Sequence, residues 1–284
     1  MEQHRCGREE LLRAMVQPCS SLARPPISQF NVGAVGMTSA GNVYIGVNLE
    51  FLRMPLNNSV HAEQFLVANA RAHGERDLAL VAVNAAPCGH CRQFFSELAC
   101  ADTVRFLFPG GAGGDKGATP RPYTLAELLP MRFRPQDLLG EAPPPLLLQP
   151  QRLRLSWSEA ARSALQARAQ DPDFTRAAEA ALAQACESYA PYSGCPAGVA
   201  LIAQGGAVHG GAYLESAAFN PSMQALQVAV ADAVIHHMPC YTHVREVLVV
   251  EVEGMHVQHG PAIRLLLASI APEAVVTDLP VIMD

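Results

Sequence analysis

The stretch FNVGAVGMTSAGNVYIGVNLEF at 30–51 lies over CPAGVALIAQGGAVHGGAYLES at 195–216 at a constant offset of 165 residues. Gly33, Gly41, Gly46, Leu49 and Glu50 fall on Gly198, Gly206, Gly211, Leu214 and Glu215. Each copy reads as a strand, a tight glycine turn and a second strand. Such a repeat restricts the chain to one structural unit built twice. Around it, the first half reads as helix 9–16, hairpin 31–37 and 43–48, helix 60–73, strand 79–84, helix 88–98 and strand 103–108. The second half reads as helix 174–189, hairpin 197–203 and 207–213, helix 222–236, strand 245–252, helix 260–269 and strand 273–277. Alternating strands and helices predict an α/β fold, a sheet covered by helices, in two copies. The segment LGEAPPPLLLQPQRLRLS at 139–156 holds a triple proline and reads as a linker between residues 1–138 and 157–284.

Half of the 284 residues are hydrophobic, enough for a sizeable core, and the formal net charge is −6. That balance disfavours a nucleic-acid polymer, whose phosphates need clustered Lys and Arg, but not a small neutral substrate. No apolar run reaches the length of a membrane span. The polar start, MEQHRCGREELLRAM, has no secretory core. Of eight cysteines, only Cys88 and Cys91 are closely spaced, so reduced thiols in a cytoplasmic compartment are expected. GGAGGDKG at 110–117 lacks the Ser or Thr of a Walker motif and reads as a flexible surface loop.

Two stretches carry chemistry: SVHAEQFL at 59–66 and NAAPCGHCRQFF at 84–95. Ser59 is a plausible N-cap, with His61 in the first turn of the helix that follows. Pro87 suits the first turn of the next helix, putting Cys88 and Cys91 on one face near a helix N-terminus that favours thiolates. Zn²⁺ with two thiolates and a neutral imidazole is formally neutral. Three protein ligands leave one tetrahedral position open to water, the mark of a catalytic site. Glu63 is then left over as a proton carrier. A redox Cys-x-x-Cys is the competing reading, as is a structural zinc site, which needs a fourth ligand; His90 should point elsewhere on its helix. Cys240-x-x-His243, with His236, His237, His256 and His259 nearby, reads as surface histidines and one buried thiol.

The arrangement H-x-E then P-C-x-x-C is a signature of zinc deaminases. With FNVGAV at 30–35, VNLEF at 47–51, PYSGCPAGVAL at 191–201 and YLESAAFNP at 213–221, the chain resembles the two-domain, homodimeric cytidine deaminases of enteric bacteria and plants. The resemblance implies a three-layer α-β-α sandwich of the cytidine deaminase type with a five-stranded mixed sheet, duplicated in tandem. The second copy would be degenerate. At an offset of 165, His61 falls on Leu226 and Glu63 on Val228, and VEVEGMHVQHGPA offers no cysteine. The resemblance further implies zinc-dependent hydrolytic deamination of free cytidine and 2′-deoxycytidine in pyrimidine salvage. It implies one Zn²⁺ per chain on His61, Cys88 and Cys91, with Glu63 catalytic and Asn48 and Glu50 on the ribose hydroxyls. Phe30 would pack on the base and Ala62 touch the pyrimidine. A neutral Gln64 suffices where only two ligands are thiolates. A polynucleotide deaminase, an enzyme for a nucleotide or purine, and a non-catalytic zinc protein remain the alternatives.

Overall fold

The computed structural model describes residues 7–109 and 121–284. The sequence readings of MEQHRC and of GGAGGDKG lie outside the described residues. The chain forms two compact units. The first runs to Phe51, then covers Pro55–Gln149 and Ser216–Pro221; the second comprises Leu52–Met54, Pro150–Glu215 and Ser222–Asp284. Leu147 and Leu148, inside the proline-rich segment, are buried, and Leu147 N–H donates to Glu97 O (3.1 Å).

In the first unit the order is α1 (Arg8–Ser20), β1 (Gly33–Met37), β2 (Val43–Val47), α2 (Ala62–Ala72), β3 (Leu80–Val83), α3 (Gly89–Phe95), β4 (Arg105–Leu107), β5 (Tyr123–Thr124), α4 (Leu125–Leu128) and α5 (Pro135–Leu139). The sheet order is β2-β1-β3-β4-β5, with β3 and β4 parallel and the other neighbours antiparallel. Successive strand residues face opposite sides of a sheet. A Cβ on Gly33 would meet α1 at Ser20 and Val16, whereas a Cβ on Gly36 would meet Leu66 of α2. Positions 33 and 36 differ by an odd number, so α1 and α2 lie on opposite faces, giving three layers. Gly41 turns the hairpin at φ 93°, a conformation that suits glycine.

The second unit adds β6 (Leu155–Trp157), α6 (Glu159–Ala167), α7 (Pro172–Cys186), β7 (Ala197–Ala203), β8 (Val208–Ala212), α8 (Ala225–Ile235), β9 (Val244–Glu251), α9 (Gly260–Ile270), β10 (Val275–Asp278) and β11 (Val281–Met283). Its main sheet, β10-β9-β7-β8, repeats the first four strands of the first sheet in pairing and direction. It stops at four strands rather than five; β6 and β11 pair separately. Gly198 approaches α7 and Gly211 approaches α8, from opposite faces. The sequence reading missed β6 and β11, which are three residues each and carry no alternation long enough to read.

The repeat also needs a correction. The offset of 165 holds through the hairpin, where Arg24 bridges Leu49 and Tyr189 bridges Leu214. Leu49 then bridges Val60, but Leu214 bridges Met223, so the offset falls to 163 (Val60 to Met223). The N-cap of α2 is His61 and that of α8 is Gln224. His61 therefore corresponds to Gln224 and Glu63 to Leu226, not to Leu226 and Val228. The connection before α8 is two residues shorter, which a hairpin-based alignment cannot see. Among the described residues, no helix is long and apolar enough to cross a membrane.

Candidate active site

Two helix starts converge on one spot. His61 is the N-cap of α2, in extended backbone, and Cys88 is the N-cap of α3. Ser59, expected as the cap, instead closes a short 3₁₀ turn at Leu56–Asn58, and Pro87 precedes the cap of α3 rather than entering its first turn. Close approach fixes α2. A Cβ on Gly46 would collide with Ala62 O and Leu66 N, so β2 and the start of α2 are in backbone contact. Residues 62–70 of α2 are all buried, leaving the helix no freedom to rotate. Behind α3, Phe94 and Phe95 are fully buried, and Phe95 meets Phe106 edge-on at 4.9 Å. Burial of each such ring stabilises by about 1.5–3 kcal/mol.

His61 Nδ1 lies 3.4 Å from Cys88 Sγ and 3.3 Å from Cys91 Sγ. The three donor atoms all fall within 4.8 Å of one another. Zinc bonds of about 2.3 Å to sulfur and 2.0–2.1 Å to nitrogen at a tetrahedral angle require an N···S separation of about 3.5 Å, so this donor set fits a zinc ion. The electrostatics agree. Hydrogen bonds from Cys91 and then His61 outweigh burial and hold the Cys88 thiol down at about 3. Burial, and then the neighbouring Cys88, push Cys91 well above the usual thiol range. One thiol gives up its proton readily; the second needs an additional positive charge to follow. His61 is raised by its hydrogen bond to Cys88, against the effect of burial.

Glu63, the second residue of α2, is only 4% exposed, and burial raises its carboxyl above the usual range. It stands two residues from His61 at the same helix start and lines one cavity with it, beside the donor cluster. His90 does not point away: its ring stacks on His61 at 4.8 Å, and its Nε2 finds no hydrogen-bond partner among the described residues. Gln64 Oε1 accepts from His61 N–H (3.2 Å) while Gln64 Nε2 donates to Pro221 O (2.8 Å). The glutamine thus ties the histidine's backbone to the Ser216–Pro221 segment.

A cavity of about 350 Å³ opens beside His61 and Glu63 and is also lined by Phe30, Asn48, Glu50 and Ala62. It sits at the small end of the roughly 300–1,000 Å³ range of ligand pockets. Phe30 is 59% exposed there, more open than a core side chain. Asn48 and Glu50 already serve the fold. Asn48 Oδ1 accepts from Val32 N–H (2.9 Å) and its Nδ2 donates to Phe30 O (3.0 Å). Glu50 accepts from Ile27 N–H (2.8 Å), Ser28 N–H (2.9 Å) and Ser28 Oγ (2.5 Å). Burial pushes its carboxyl up, but these three donors prevail and hold it below the usual range. In the second unit Glu215 accepts from the matching positions, Tyr192 N–H (2.7 Å) and Ser193 N–H (3.2 Å). Sequence reasoning missed Ile27, Ser28, Val32, Leu56, Ser59 and Val60 as cavity residues. The repeat held a signal for two of them, since Pro26-Ile27-Ser28 recurs as Pro191-Tyr192-Ser193.

The second unit keeps none of the donor cluster at the matching positions. Gln224 stands for His61 and Leu226 for Glu63. His259 caps α9 where Cys88 caps α3, and the third helical residue is Ala262 instead of Cys91. Cys240, expected as a buried thiol, is exposed, with His243 Nδ1 at 2.8 Å, and His259 is buried rather than on the surface.

Two family models match the chain, both described as a cytidine and deoxycytidylate deaminase zinc-binding region, over residues 8–107 and 125–264. The chain is similar to cytidine deaminase 1 of Arabidopsis thaliana, at 42% identity over 93% of this chain and 88% of the relative. It is similar to cytidine deaminase of Yersinia pseudotuberculosis, at 39% identity over 85% of this chain and 73% of the relative. A crystal structure of cytidine deaminase from Burkholderia pseudomallei aligns over 43% of this chain and 97% of its own, at 30% identity and a TM-score of 0.37. Zinc is the metal of these domains, and the His/Cys/Cys cluster is a donor set for it. With two tandem deaminase domains and this identity over most of its length, the chain belongs to the cytidine deaminase family.

Proposed function

We propose that this protein hydrolyses the free nucleosides cytidine and 2′-deoxycytidine to uridine and 2′-deoxyuridine, releasing ammonia, in pyrimidine salvage. The observation that carries this reading is the buried Glu63 carboxyl beside the His61–Cys88–Cys91 cluster, at the end of a small cavity. In this reading His61, Cys88 and Cys91 are the ligands of the zinc ion. When bound, zinc supplies Lewis-acid activation of a water molecule.

The chain's own residues do the rest. Glu63 moves protons, from the attacking water to N3 of the pyrimidine and on to the departing amino group. Its raised, buried carboxyl suits a group that must both take and give a proton. Ala62, at the first turn of α2, offers backbone to the pyrimidine edge, and Phe30 offers its ring to the base. Asn48 and Glu50 face the ribose. Glu50, held ionised by its three donors, accepts from a hydroxyl and repels a phosphate, which favours nucleosides over nucleotides. Residues 1–138 form the catalytic copy in this reading, 139–156 join the copies, and 157–284 form the non-catalytic one. Homodimerisation and a cytoplasmic location belong to the same reading, supported by the resemblance to two-domain relatives and by the absence of paired cysteines among the described residues.

The test is direct. Purified, zinc-loaded protein should convert cytidine to uridine, followed as loss of the cytosine absorbance band. Glu63→Gln should keep its zinc and lose at least about 10²–10⁴ in turnover. A Glu63→Gln protein with wild-type turnover refutes the assignment.

A further inference from the structure

The second unit, which has lost the first cluster, holds another group of metal-binding side chains. His209 lies on β8, and Asp232 and His236 lie one turn apart on α8, where i and i+4 side chains share a face. His209 Nδ1 is 3.0 Å from Asp232 Oδ2, and His236 Nδ1 is 3.3 Å from Asp232 Oδ1. The two imidazoles are 5.5 Å apart between centroids. One donor atom from each of the three falls within 4.8 Å of the others.

The first unit provides an internal control. Through the hairpin offset of 165 and the helix offset of 163, these positions correspond to Tyr44, Asn69 and His73. There Tyr44 OH donates to Glu75 (2.7 Å), Asn69 Nδ2 donates to Ile45 O (2.9 Å) and His73 Nδ1 meets Asn69 O (2.9 Å). The His73 contact recurs as His236 Nδ1 to Asp232 O (2.8 Å), so the backbone frame is the same in both units. Within that frame a phenol and an amide, which are poor ligands, have been replaced by an imidazole and a carboxylate.

We propose that His209, Asp232 and His236 form a second, non-catalytic metal site, which takes a divalent transition ion such as Zn²⁺, Co²⁺ or Ni²⁺. Two imidazoles among three donors select that class over Mg²⁺ and Ca²⁺, which take oxygen ligands. Zinc bonds of about 2.0–2.2 Å to nitrogen and oxygen set donor separations of about 3.3–3.5 Å, close to the 3.0 Å and 3.3 Å already present between Asp232 and the two rings. His209 is buried and His236 is exposed, which leaves a solvent route for the ion. On binding, the ion takes the place of the proton that His209 shares with the Asp232 carboxylate, and the His236 ring gives up its bond to Asp232 O. The ion cross-links β8 to α8. The expectation of one zinc ion per chain then describes the catalytic copy alone.

The experiment is metal analysis of the full-length protein equilibrated with zinc and freed of excess, alongside His209→Tyr/Asp232→Asn, which imports the first unit's own residues. Wild type should hold about two zinc ions per chain and the double variant about one, with cytidine turnover retained. Substitution with Co²⁺ separates the sites, because only the catalytic cluster has thiolate charge-transfer absorption. If the double variant fails to fold, exposed His236→Gln is the second probe. It should weaken the ion without thiolate absorption by about tenfold or more. Equal zinc content in wild type and variant, or His236→Gln binding both ions as wild type does, overturns the proposal and leaves a hydrogen-bonded His–Asp–His group only.

Discussion

Gln64→Leu tests whether the capping glutamine positions His61, a proposed metal ligand, or merely stabilises a helix. The substitution keeps the approximate volume and removes two hydrogen bonds, to His61 N–H at 3.2 Å and to Pro221 O at 2.8 Å. Gln64 is 2% exposed, so water cannot readily replace it. Leaving a buried partner unsatisfied costs about 1–3 kcal/mol, so the two together predict a loss of about 2–6 kcal/mol. For a unit of this size that lowers Tm by roughly 6–18 °C. One broken bond is on the ligand's own backbone, so zinc affinity should also fall by about 10–100-fold, as when other supporting contacts around a metal are removed. Gln227→Leu is the matched control. Gln227 Oε1 accepts from Gln224 N–H (2.8 Å) at the same place in the second unit, where no ligand stands. Its loss should reduce Tm and leave zinc affinity at the cluster unchanged. Calorimetry and competition with a chelator measure the two quantities. If Gln64→Leu lowers Tm but holds zinc as tightly as wild type, the positioning argument is wrong. If Tm does not move, the claim of two buried hydrogen bonds is wrong.

Two further outcomes follow from the packing and the charges. Gly46→Ala and Gly211→Ala face the same collision with a helix backbone and should each destabilise by about 1–3 kcal/mol, but only Gly46→Ala should also weaken zinc binding, as chelator competition will show. Burial pushes the Glu246 carboxyl up, yet hydrogen bonds from Arg168 (2.5 Å) and Thr277 (2.7 Å) prevail and hold it below the usual range. Because the folded value is depressed, this stability is present above the unfolded Glu value of about 4.3 and is lost as pH falls through the folded one. Thermal melts from pH 7 to pH 3 should therefore fall less steeply for Glu246→Gln than for wild type; parallel curves would refute the linkage.

The sequence alone made the His61, Cys88 and Cys91 donor set and the doubling of the unit legible. Ligand types are intrinsic to residues, and the spacings His61-x-Glu63 and Cys88-x-x-Cys91 are short enough for local helix geometry to bring each pair to one helix start. The glycine repeat was legible because Gly41 and Gly206 need positive φ and Gly46 and Gly211 need contact with a helix backbone, demands that few other residues meet. Other features depend on contacts distant in sequence, which no local pattern encodes. The start of α2 could not be read, because Ser59 is a better cap by type than His61, yet the bridge from Leu49 to Val60 and the packing of Gly46 place the helix two residues later. The two-residue loss before α8 was invisible until strand pairing fixed both frames. The assignment of Asn48 and Glu50 to a ligand overlooked their work within the chain, since hydrogen bonds to residues 27–32 form only once the hairpin has closed. His90 on His61, and Asp232 between His209 and His236, are likewise products of tertiary packing: it brings side chains from separate elements within hydrogen-bonding or stacking distance, and their meeting there, rather than their identity, decides what they can do.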